Sequence, residues 1–153
     1  MQSFPPTIIL RHRRENLKKC SLRGLEGRDD MRFFRYPGPV LPDLQGYIVL
    51  GMDAPILSED DQDAGLFILD GTWRYAARMW ENTAEIKKLT VRSLPKNIRT
   101  AYPRKQEDCP DPERGLASIE AIYIAYHLLG RRTAGLLDHY HWKERFLALN
   151  HLA

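Results

Sequence analysis

The chain has 153 residues, 43% of them hydrophobic and 28% charged, enough to bury one core with little left for a second. It has no apolar run near the roughly 18 residues of a membrane span and no basic start leading into a secretory signal, so a single domain in the cytoplasm, with no membrane partner, is expected. The formal charge of +3 is unevenly spread: residues 10–35 carry nine Lys or Arg against four acids, residues 86–106 carry seven and no acid, and residues 36–73 carry seven acids and no Lys or Arg.

Two basic segments around an acidic one are expected to fold into a basic face, the footprint of a protein that holds nucleic acid by its phosphates. The candidate contacts are Arg11, Arg13, Arg14, Lys87, Lys88 and Lys105, and residues 1–40 form a basic N-terminal subregion of the single domain 1–153. The alternative is a solvated surface with its charges mixed in space. Cys20 and Cys109, 89 positions apart, support neither a disulfide framework nor a zinc site.

Thr7-Ile8-Ile9-Leu10 predicts a first strand after an irregular start. Leu17, Cys20 and Leu25 could line a short helix within Glu15 to Arg28, limited by Gly24 and Gly27. Met31 to Tyr36 predicts a strand that stops at Pro37-Gly38-Pro39, and Tyr47 to Leu50 another, broken by the loop Gly51 to Pro55. Ser58 offers an N-cap to the acidic run Glu59-Asp60-Asp61.

Leu66 to Leu69 is too short for a helix and lacks alternation, which suits a strand buried on both faces of a parallel sheet. Trp73, Ala76, Ala77 and Trp80 share one face of a following helix, leaving Asp70, Gly71 and Thr72 as the tight link beside which parallel sheets bind ligands. In that link Asp70 or Thr72 could equally serve as the helix cap. Leu89 to Val91 and Leu94 form the next apolar patch, and residues 99–115 an extended loop. A helix then opens near Ser118, with Ile119, Ile122, Tyr126 and Leu129 at helical spacing before Gly130. From Thr133 a last helix is expected. His139 and His141, two apart on it, point about 200° from each other, so no metal is expected.

Several of these segments resemble one superfamily. Leu69-Asp70-Gly71-Thr72-Trp73 before an alanine-rich helix resembles the signature of the DTW-domain proteins, which share a superfamily with the ribosome-biogenesis aminocarboxypropyltransferases, where the same place reads D-C-S-W. Lys19-Cys20-Ser21, Leu57-Ser58-x-x-Asp61, Leu116-Ala117-x-x-Glu120-Ala121 and the ending Trp142-Lys143-x-x-Phe146-Leu147-x-Leu149-Asn150 match that branch in order. Ala117 stands where a serine is usual, which costs about 1 kcal/mol of helix capping unless Ser118 substitutes.

The resemblance implies an α/β fold, a mostly parallel sheet flanked by helices, SPOUT-like with a C-terminal trefoil knot. It implies a monomer that takes S-adenosylmethionine and transfers its 3-amino-3-carboxypropyl group to a uridine-type nitrogen of rRNA or tRNA, releasing methylthioadenosine. The implied cofactor pocket comprises Ser21, Leu50, Met52, Leu69, Trp73, Leu94, Leu116 and Ser118. Bulky apolar walls would orient the sulfonium so that one carbon is presented in line, and the Trp73 ring could favour its charge. Asp70 is the candidate acceptor for the N3 proton. A SPOUT-type methyltransferase and a non-catalytic RNA-binding assembly factor are the alternatives.

Overall fold

The computed structural model describes residues 4–14, 21–102 and 116–152, the side chain of Trp73 excepted. Five parallel strands, β1 Thr7–His12, β2 Met31–Tyr36, β3 Tyr47–Leu50, β4 Gly65–Asp70 and β5 Thr90–Arg92, form one sheet in the order β2-β1-β4-β3-β5. The central position of β1 and β4 follows from their sequences. TIILRH and GLFILD are apolar on both faces, and apart from half-buried Arg11 and Leu69 every residue in them is buried.

Helices cover the two faces. α1 Trp73–Asn82 and the 3-10 segment Ala84–Lys88 lie on one, where Met79 and Ile86 pack against Ile8, Leu10, Val49 and Phe67. α2 Ser118–Leu128 and α3 Lys143–Leu149 lie on the other, where Ile119, Ile122, Tyr126 and Phe146 meet Ile9, Ile48, Leu66 and Ile68. Gly65 admits no side chain, because a Cβ there would stand 2.5 Å from the Tyr47 ring, whose hydroxyl donates to the Pro6 carbonyl at 2.7 Å.

Ser58 caps its 3-10 turn, Glu59–Asp61, as expected: its Oγ accepts from the Asp60 N–H while Asp61 Oδ2 accepts from the Ser58 N–H. The last helix does not start at Thr133. Residues 133–142 run through successive turns, with Gly135 at φ +83°, and only Lys143–Leu149 is helical. Of the expected helix between Glu15 and Arg28, residues 15–20 lie outside the described residues and residues 21–28 form turns. Most of the 99–115 loop, residues 103–115, also lies outside them. No helix among the described residues is long and apolar enough to cross a membrane.

Candidate active site at the carboxyl ends of the strands

Asp70 ends β4 beside Arg11 of β1, its partner in register. Its carboxylate is 4% exposed and held from two sides: Ser118 Oγ donates to Oδ1 at 2.7 Å and Arg11 Nε to Oδ2 at 3.2 Å. The Arg11 guanidinium, itself 13% exposed, lies 4.7 Å from the centroid of the Phe33 ring. Asp70 is therefore not the cap of α1. Thr72 occupies the cap position, and its side chain makes no capping hydrogen bond.

The first turn of α2 is built from distant parts of the chain. Ala117 is its N-cap residue and has no side-chain acceptor, and Ser118 does not substitute because its hydroxyl goes to Asp70. Ser21 does so instead, across 98 residues: its Oγ accepts from the Ile119 N–H at 3.2 Å, the amide that an N-cap serine would take. The other half of the capping box survives, since Glu120 Oε1 accepts from the Ala117 N–H at 2.8 Å. Glu120 is fully buried and accepts in addition from Thr100 Oγ1 at 2.6 Å, the Ala101 N–H at 2.8 Å and the Tyr140 hydroxyl at 3.0 Å. One carboxylate thus joins residues 100–101, the start of α2 and Tyr140.

The residues expected to line one pocket divide between the two faces of the sheet. Leu50 and Leu94 are half-buried against the core on the α2 side, the side of Asp70, Ser118 and Ser21. Met52 is exposed just beyond β3, and Leu116 is half-buried before α2. Leu69 packs on the opposite, α1 face, because neighbouring residues of a strand point to opposite sides. Trp73 begins α1. Among the described residues no three metal-binding side chains come together.

The expected basic face also divides. Arg13 and Arg14 follow β1 at the carboxyl ends of the strands, whereas Lys87 and Lys88 precede β5 at the amino ends. Arg11 turns inward to Asp70, and Lys105 lies outside the described residues.

Sequence reasoning passed over a second cluster at the same sheet end, on the α1 face. The His12 ring stacks on Tyr75, 3.9 Å between centroids and 6° from parallel, and lies 5.4 Å from Tyr36. Gly71 permits the contact: a Cβ there would stand 3.1 Å from Tyr75 Cβ and 3.4 Å from His12 Cβ, so the glycine lets α1 lie close against the end of β1. The available signal was the alternation of β1, which sends His12 to the face opposite Arg11.

Burial, and then Arg13, Arg14 and Arg78, hold the His12 pKa below its ordinary 6.5. The unfolded chain therefore takes up this proton first as pH falls. The stability His12 contributes is complete above 6.5 and is lost as pH drops towards its folded value. The melting temperature should fall between about pH 7 and pH 5 more in the wild type than in His12→Phe, which keeps the ring stack. Parallel curves for the two proteins would contradict this.

Comparison with known proteins agrees with this architecture. No curated protein sequence matches the chain. The structure of the SAM-dependent rRNA:acp-transferase Tsr3 from Vulcanisaeta distributa superposes with a TM-score of 0.70 at 21% identity, covering 97% of this chain and 79% of the other, which shows a shared fold. The family model for the DTW domain matches residues 2–148, and the chain belongs to the DTW-domain family.

Proposed function

We propose that this protein transfers the 3-amino-3-carboxypropyl group of S-adenosylmethionine to a uridine-type base nitrogen of RNA, releasing methylthioadenosine. The observation that carries the reading is the likeness of fold over 97% of the chain to a SAM-dependent rRNA:acp-transferase, together with membership of the DTW-domain family. That likeness favours rRNA over tRNA as the acceptor. The C-terminal trefoil knot belongs to the same proposal.

The residues present fit the cofactor. Half-buried Leu50 and Leu94 offer apolar surface on the face that carries the Asp70 carboxylate, the combination that suits an adenosyl group carrying a sulfonium. When bound, the cofactor supplies the electrophilic carbon. The chain's own part is to orient and to take a proton. Asp70 would accept the acceptor base's N3 proton at Oδ1, the oxygen now bonded to the rotatable Ser118 hydroxyl, while Arg11 keeps hold of Oδ2.

Two preparations of the cofactor test this, one carrying radiolabel on the carboxyl carbon and one on the methyl. Incubated with the protein and rRNA from cells lacking it, the carboxyl label should enter RNA as methylthioadenosine appears in equal amount. Methyl label in RNA with S-adenosylhomocysteine released would overturn the reading in favour of a methyltransferase. Bound RNA with neither label would make the protein a non-catalytic assembly factor.

A further inference from the structure

On the α1 face of the same sheet end lies a group of cations that the carboxylate site does not use. The Arg14 N–H donates to His12 Nδ1 at 3.1 Å, so the turn after β1 folds back over the His12 ring and brings Arg13 and Arg14 beside it. Tyr75, stacked on His12, is flanked in α1 by Arg74, the residue before it, and Arg78, one helical turn after it, so both arginines stand on the side of α1 that meets His12. All four arginines are exposed, and among the described residues none of them is in an ion pair.

Beneath them is a shelf of half-buried aromatic rings, Tyr36 and Tyr75, locked by His12 and by the hydrogen bond from Asn82 Nδ2 to the Tyr36 hydroxyl at 3.1 Å. The first turn of α1 has no acidic residue. Of the carboxylates near them in sequence, Asp70 faces the other side and is paired with Arg11, Glu81 is paired with Lys87, and Glu15 lies outside the described residues.

We infer that this arginine-ringed shelf, Arg13, Arg14, Arg74 and Arg78 around His12, Tyr36 and Tyr75, is where the phosphate backbone of the RNA acceptor docks. The inference rests on the RNA-directed reading above. The composition selects the partner. Every cation in the group is arginine, whose planar fork matches phosphate oxygens, and the rings beneath offer faces for an unpaired base. An anionic membrane fits less well, because the large exposed apolar residues Val40, Met52, Ile56 and Leu149 all lie outside this group.

The placement selects the route. The shelf and Asp70 share the carboxyl ends of β1 and β4, on opposite faces, so RNA held on the shelf passes over the strand ends to reach the carboxylate. Lys87 and Lys88 precede β5 at the amino ends of the strands, and Lys87 is paired with Glu81 at 3.4 Å.

The test compares two charge reversals of equal size in the full chain, Arg74→Glu/Arg78→Glu and Lys87→Glu/Lys88→Glu, using a short fluorescein-labelled RNA oligonucleotide, with melting curves and S-adenosylmethionine calorimetry on the same samples. The arginine pair should weaken RNA binding about tenfold or more and lower the slope of log K against log salt by roughly 1.4, two contacts at ~0.7 each. Its melting temperature and cofactor affinity should stay unchanged, and the lysine pair should change RNA affinity less than about threefold. Arg13→Ser/Arg14→Ser, in a turn, gives the same reading if the helix variant folds poorly.

Equal loss from the arginine and lysine pairs, no loss from the arginines, or binding of phosphatidylserine vesicles in place of RNA would overturn the inference. Failure of the carboxyl label to enter RNA while the arginine pair still governs RNA binding would reject the transfer chemistry and retain the shelf.

Discussion

Asp70→Asn lowers both transfer and stability. A mere helix cap would predict neither, since Asn caps as well as Asp, but Asp70 is bonded instead to Ser118 and Arg11. The amide can still accept from Arg11 and, with the Ser118 hydroxyl rotated, donate to it, so the hydrogen bonds survive and the charge does not. Removing the anion that pairs with the Arg11 guanidinium, 13% exposed, from this site should cost about 2 kcal/mol, below the ~3–5 kcal/mol of a buried pair broken outright.

Stability and chemistry are separated by Arg11→Met/Asp70→Asn, which removes both charges. Stability should return to within about 1 kcal/mol of wild type, while single-turnover release of methylthioadenosine stays down on the order of 100-fold. Recovery of release in the double variant would locate catalysis in positioning and withdraw the proton-accepting role from Asp70.

The largest loss of stability is expected at Glu120. Glu120→Ala removes, from a side chain with no exposure, the acceptor shared by two backbone N–H groups, the Thr100 hydroxyl and the Tyr140 hydroxyl. At about 1–3 kcal/mol for each stranded donor, the sum approaches the whole stability of a small domain, and little soluble folded protein should be recovered. Glu120→Gln keeps one acceptor oxygen and turns an amide NH2 towards donors, so a loss of about 2–4 kcal/mol should appear as a lowered urea midpoint. A midpoint for Gln within the error of wild type would show that these hydrogen bonds do not hold the two segments together.

Most strands were legible in the sequence because burial on both faces leaves little freedom of composition. Ile8-Ile9-Leu10 and Leu66 to Leu69 are short unbroken apolar runs, the pattern that suits interior strands, and both lie in buried strands. α1 was legible from its apolar spacing, and the Ser58 cap from its acidic followers. The turns after Thr133 read as helix by extension from the stripe Phe146, Leu149 and Leu152, whereas in the fold Leu136 and Leu137 are buried in turns and Gly135 takes a left-handed conformation.

The site was less legible because its bonds are long-range. Ser118 reaches Asp70 across 48 residues and Ser21 caps α2 across 98, distances at which local pattern carries no information. The division of the basic segments was hidden for the same reason. Nothing in Lys87-Lys88 shows which end of a parallel sheet its connection will reach.

At the end of β1, Arg11 holds the carboxylate on one face and the next residue, His12, props the tyrosine shelf on the other. On the proposed function and docking site, a single peptide unit divides two kinds of selection, that of the donor chemistry and that of the acceptor. Substitutions on the α1 side would then change how tightly RNA is held without touching Asp70, and changes around Ser118 would alter the chemistry without touching the shelf. An inserted or deleted residue within β1 would exchange the two faces, presenting the imidazole to the carboxylate and the guanidinium to the rings. A substitution on one face of this strand end should leave the other face in place, whereas a change in its length should disturb both.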